Sequence, residues 1–65
     1  MNLLPTEVIE INQTKINHID RVERSIYPLV IYSRHHFDDG LLDTYLNSIQ
    51  NLTQQLAIRN AQMES

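Results

Sequence analysis

The sequence predicts an all-α fold, an antiparallel two-helix hairpin that needs a further chain to complete it. Three observations carry this reading. Leu42, Tyr45, Ile49, Leu52 and Leu56 recur at alternating spacings of three and four, the mark of a helix whose apolar stripe faces another helix. One strong break signal, Phe37-Asp38-Asp39-Gly40, divides the 65 residues. With one Gly and two Pro in the whole chain, few other turns are available.

The first helix is expected over about residues 5–36. Pro5 suits a first helical turn, where its missing N–H is not needed, and Glu7 and Glu10 place negative charge at the end of the helix dipole that favours it. On a helical wheel Val8, Ile16, Ile19, Val22, Ile26 and Val30 form one stripe, flanked by Ile9, Ile11 and Leu29. Asn12, Lys15 and Glu23 interrupt it. Such polar members either fix the register of a seam or mark its wet edge, the second suiting the long stems of Lys15 and Glu23. Pro28 removes the bond to the Arg24 carbonyl and disfavours helical geometry at Tyr27, so a kink or break is expected there. Beyond it, Leu29-Val30-Ile31-Tyr32 is apolar on every side. No second strand candidate exists to pair with it, which favours helix over strand. Ile31 and Tyr32 then point away from the seam; together with Tyr27, Leu29 and Ile58 they are the candidate partner-binding residues.

Arg34, His35 and His36 sit at the helix C-terminus, where positive charge is favoured. Asp38 or Asp39 can cap the second helix by accepting from its unpaired N–H groups, and Asp43 adds favourable charge in its first turn. The second helix is expected over about residues 40–61, with Leu42, Tyr45, Ile49, Leu52 and Leu56 as its seam. Its opposite face is Asp43, Asn47, Gln50, Asn51 and Gln54, with Ile58 set among them.

Composition narrows the function classes. An apolar content of 42% with 20% charged residues argues against intrinsic disorder. A chain of this length buries only about 60% of its unfolded surface, and with no cysteine to supply disulfides, self-association or a helical protein partner is the staple that remains. No apolar run approaches the roughly 20 residues needed to span a bilayer, and the first ten residues carry Glu7 and Glu10 where a secretory signal carries Lys or Arg. A soluble, unprocessed, cytoplasmic protein is the expectation. The net charge of -3 disfavours nucleic acid as a partner, because phosphate contacts need clustered cations and Lys15, Arg21, Arg24, Arg34 and Arg59 are scattered. Asp20 and Glu23 are interleaved with Arg21 and Arg24, and Asp20 to Arg24 is an i,i+4 ion pair.

Chemistry has little foothold. His35-His36 with Asp38 and Asp39 is the one metal-like grouping, yet neighbouring helical residues point about 100° apart and cannot both face one ion. Ser33, His36 and Asp39 have the residue types of a hydrolytic triad, but a thin hairpin offers no oxyanion hole or substrate cavity. No catalytic role, metal or cofactor is expected.

The segment Asp38-Asp39-Gly40-Leu41-Leu42-Asp43-Thr44-Tyr45 resembles the Asp-Pro-x-Leu-Leu-x-x-Tyr element that opens the second helix of type III secretion needle subunits. Asp38, Leu41, Leu42 and Tyr45 match, and Asp39 stands in place of the proline. Arg59-Asn60-Ala61-Gln62 is similar to a second element of that family, three residues further from the tyrosine. The long C-terminal extension through which needles polymerise is expected to be absent. Length and two-helix layout are instead similar to the small acidic co-chaperones of the needle subunit. That resemblance implies a non-catalytic chaperone or adaptor that pairs with a tetratricopeptide-like partner and keeps the subunit soluble. The alternative class is a homodimeric four-helix regulator, phage- or plasmid-type, acting on nucleic acid or on a host regulator.

Overall fold

A computed structural model describes residues 2–64 as two α-helices, α1 (Pro5–His36) and α2 (Leu41–Glu64), packed against each other as a hairpin 48 Å long. α1 begins where Pro5 permits it. Leu4 is extended and offers no side-chain cap, but its carbonyl accepts the Val8 N–H at 3.1 Å, and Glu7 supplies the first-turn charge. Residues 29–33 are helical. α1 also runs unbroken through Pro28, so the break that the sequence allows does not occur. Pro28 lies on the solvent side, where the Arg24 carbonyl it leaves without an intrahelical partner can be hydrated rather than buried.

The turn satisfies both helix ends. The Ser33 carbonyl accepts from the N–H of Phe37 at 2.8 Å and of Asp38 at 3.1 Å. Asp38 takes a left-handed φ of 54°, which Asp tolerates better than most residues, and Gly40 takes φ 70°, where a side chain would be strained although nothing lies near. Of the two candidate caps it is Asp39 that acts: its Oδ1 accepts the Leu41 N–H at 3.1 Å, while the Gly40 carbonyl accepts from Thr44. The hairpin is closed at this end by Arg34, whose Nε donates to Asp43 Oδ1 at 2.8 Å and whose Nη2 lies 2.6 Å from the same oxygen.

Burial defines the seam. On α1 the covered positions are Asn12, Ile16, Ile19, Glu23, Ile26, Val30 and Ser33, and on α2 they are Leu42, Leu46, Ile49, Thr53, Leu56 and Asn60, both at regular alternations of four and three. Among the described residues the buried apolar ones are Val30, Leu46 and Leu56, and of these Val30 alone is fully buried. Asn12 Nδ2 donates to Asn60 Oδ1 at 2.9 Å, and Asn60 Nδ2 reaches the Ile9 carbonyl at 3.3 Å. With Asn12 opposite Asn60, the antiparallel register brings Ile16 level with Leu56, Ile26 level with Leu46 and Val30 level with Leu42. Asn12 is thus a register-fixing seam residue. Glu23 sits at the margin, accepting from Gln50 Nε2 at 2.9 Å.

Four expected seam members, Val8 and Val22 on α1 and Tyr45 and Leu52 on α2, are not in the seam rows. Tyr45 is 53% and Leu52 49% exposed, whereas Leu46, one residue on from Tyr45, is 4% exposed. The dry stripe of α2 is therefore rotated by part of a turn from the row first read, and Thr53 and Asn60 complete it. Val8 and Val22 are half-buried at the matching edge of α1. Ile16, Ile19, Ile26, Val30, Leu42, Ile49 and Leu56 stand where the pattern puts them.

Candidate functional site: an apolar face beside the seam

Writing both helices as heptads with the seam at a and d, α1 has Ile16, Glu23 and Val30 at a, and α2 has Leu46, Thr53 and Asn60 at a. In an antiparallel pair the e positions of the two helices then flank one side of the seam and the g positions the other. The e side is polar. It carries Gln13, Asp20, Tyr27 and Arg34 on α1 and Asp43, Gln50 and Ala57 on α2, and it is stitched by the Arg34–Asp43 and Glu23–Gln50 contacts. Asp20–Arg24, at 3.1 Å, and Gln13–Asn17, at 3.0 Å, line its margin. Asp43 holds the Arg34 guanidinium above its ordinary pKa, first through the hydrogen bond and then through charge, so this cation is fixed at every working pH.

The g side is different in kind. Val22, Leu29, Tyr45 and Leu52 occupy g positions, with Tyr32 and Leu41 at the neighbouring c positions; Leu41 is 70% exposed. Two grooves open on this side. One, at the turn end, is lined by Leu29, Tyr32, Phe37, Leu41 and Leu42, together with Ser33 and Asp39. The other, toward the open end, lies between Lys15, His18 and Ile19 on α1 and Leu52, Leu56 and Arg59 on α2. The turn-end groove is preorganised. Tyr32 stacks on His36 with ring centroids 3.8 Å apart and meets the edge of Phe37 at 6.2 Å. The His36 Nδ1–H donates to the Tyr32 backbone carbonyl at 2.8 Å, because a carbonyl can only accept, and this orients the imidazole against the Tyr32 ring.

Of the five candidate partner-binding residues, Leu29 and Tyr32 belong to this face. Tyr27 stands on the polar side near Arg34, and Ile31 and Ile58 lie on the outer backs of their helices, isolated from one another. Tyr45 and Leu52 join Leu29 and Tyr32 instead. The sequence row Leu42-Tyr45-Ile49-Leu52-Leu56 combined the d positions of the seam with the g positions of this second surface. Ser33 is buried and His36 is committed to Tyr32, so Ser33, His36 and Asp39 are not aligned as a triad. Among the described residues no three His, Cys, Asp or Glu side chains are gathered as a metal site would need, and no helix is long and apolar enough to cross a membrane. No protein-family model, curated protein or solved structure matches the chain.

Proposed function

We propose that this protein is a non-catalytic helical interaction module whose working surface is the g-side face, covered in use by helices of another chain. The observation that carries the proposal is the asymmetry of the hairpin. One flank of its seam is closed by polar contacts, while the other presents Leu29, Tyr32, Leu41, Tyr45 and Leu52 together. Apolar patches beyond a few hundred Å² are uncommon on solitary soluble domains and mark sites of association. An amphipathic helix laid along the face would put its i, i+3, i+4 and i+7 side chains against these residues. The resemblance of Asp38–Tyr45 to needle subunits, and of the layout to their co-chaperones, gives the most specific version: an adaptor that covers such a subunit or its chaperone.

Charge substitution tests it. Leu52→Glu or Tyr45→Glu is expected to abolish association while leaving the far-ultraviolet helix signal of the hairpin in place. Ile58→Glu and Ile31→Glu on the outer backs are expected to leave association intact. Loss of association from the back positions, with none from the face, would refute the assignment.

A further inference from the structure

We propose that the g-side face is covered by a second copy of this chain, docked head to tail, so that two hairpins form a four-helix bundle. The inference rests on the reading of that face as an association surface and names its occupant. Charge supplies the first argument. Lys15 and Arg59 border the open-end groove, and among the described residues neither has an ion-pair partner; Asp39 borders the turn-end groove, and Asp38 is exposed beside it. The cations and the acids are thus at opposite ends of one face. A two-fold axis across the middle of the face sets α1 over the second copy's α1 and α2 over its α2, each pair antiparallel. With the axis near the level of Ile26 and Tyr45, Lys15 and Arg59 of each copy arrive at the Asp38-Asp39 turn of the other. The same placement brings Leu52 to Leu41, Leu29 to Val22 and Tyr45 to its own twin. The alternative two-fold, with both turns at one end, would set Lys15 against Arg59 and acid against acid, which is repulsive at both ends.

Area supplies the second argument. Leu29, Tyr32, Phe37, Leu41, Tyr45 and Leu52 each leave about half or more of their surface open. At on the order of 100 Å² apiece these give roughly 600 Å² per chain, and a polar rim brings the total near the ~800 Å² per partner of a stable interface. The overlap from Lys15 to Phe37 spans roughly 33 Å of helix, which fits within the 48 Å hairpin. The arrangement is also isologous, so it closes at two copies.

The chain has no cysteine, so single-cysteine variants report the arrangement directly. Ser48 and Gln55 occupy equivalent exposed positions on α2, but only Ser48 lies near the proposed axis. Light scattering of the purified protein is expected to give twice the chain mass; Ser48→Cys is expected to form an interchain disulfide under mild oxidation and Gln55→Cys is not. Lys15→Glu with Arg59→Glu is expected to weaken the dimer by about tenfold or more at low salt. A single-chain mass, equal linking at the two positions, or linking at neither would overturn the proposal. If the protein is a single-chain species while Leu52→Glu still destroys a complex with a different protein, the second copy is excluded and the interaction-module reading stands.

Discussion

Asn12→Ala isolates the polar layer that sets the hairpin's register. Asn12 and Asn60 are each 7% exposed, and the bond between them joins residues 48 positions apart. Removing the Asn12 amide loses one hydrogen bond, worth about 1 kcal/mol, and strands Asn60 Oδ1 in a site that water reaches poorly, which costs a further ~1–2 kcal/mol. Asn60 Nδ2 keeps its acceptor at the Ile9 carbonyl, so the loss stops there. The expected penalty is about 2–3 kcal/mol, at roughly 4–8 °C per kcal/mol for a domain of this size. Replacing both residues, Asn12→Leu with Asn60→Leu, removes donor and acceptor together; the double variant is expected to be at least as stable as the parent while tolerating shifted registers. Thermal and urea melts followed by circular dichroism at one fixed protein concentration compare the parent, Asn12→Ala and the double variant. An unchanged melt for Asn12→Ala, or a double variant less stable than Asn12→Ala, would refute the reasoning.

Leu46→Ala is expected to cost about 2–5 kcal/mol, because the residue is almost fully buried in the seam, whereas Gln54→Ala on the outer face should stay within about 0.5; comparable melts for the two would mean that the seam is misplaced. Pro28→Ala restores an N–H within bonding reach of the Arg24 carbonyl inside an unbroken helix, and should raise stability by about 1–3 kcal/mol in a urea titration; a loss of stability would show that the proline geometry is itself required.

Three of the four helix boundaries were legible because their signals are local; the end of α2, expected at about residue 61, lies at Glu64. Pro5, the acid pair before Gly40 and the cations at His35 and His36 each act within one turn of the end they mark. At residues 29–33 the lack of any strand to pair with favoured helix without deciding it, and the segment is helical. The phase of α2 was not legible. Two of its six seam positions are Thr53 and Asn60, so the apolar residues alone centre on the boundary between the seam and the second face, and Tyr45 and Leu52 draw the reading away from Leu46. A corrective signal was present in the two asparagines: Asn12, inside the α1 stripe, needs a polar neighbour when buried, and only a register with Asn60 opposite supplies one at that level. Ile31 and Ile58 stand apart from the g-side cluster. Each is a large apolar residue off the seam, but exposure of single residues is ordinary, and only the cluster formed by two helices together distinguishes the g side. That cluster depends on the pairing of the helices, which no single helical wheel contains.

The central claim, that other chains attach along the g side and not along the outer backs, is tested most directly by photo-crosslinking in the native host. A photoreactive side chain is placed in turn at Leu52, Ile58 and Gln54, three exposed positions on different sides of α2. Efficient crosslinking to another polypeptide, whether a second copy or a different protein, is expected from Leu52 alone. Crosslinks of equal yield from Ile58 or Gln54, or none from Leu52, would contradict the account.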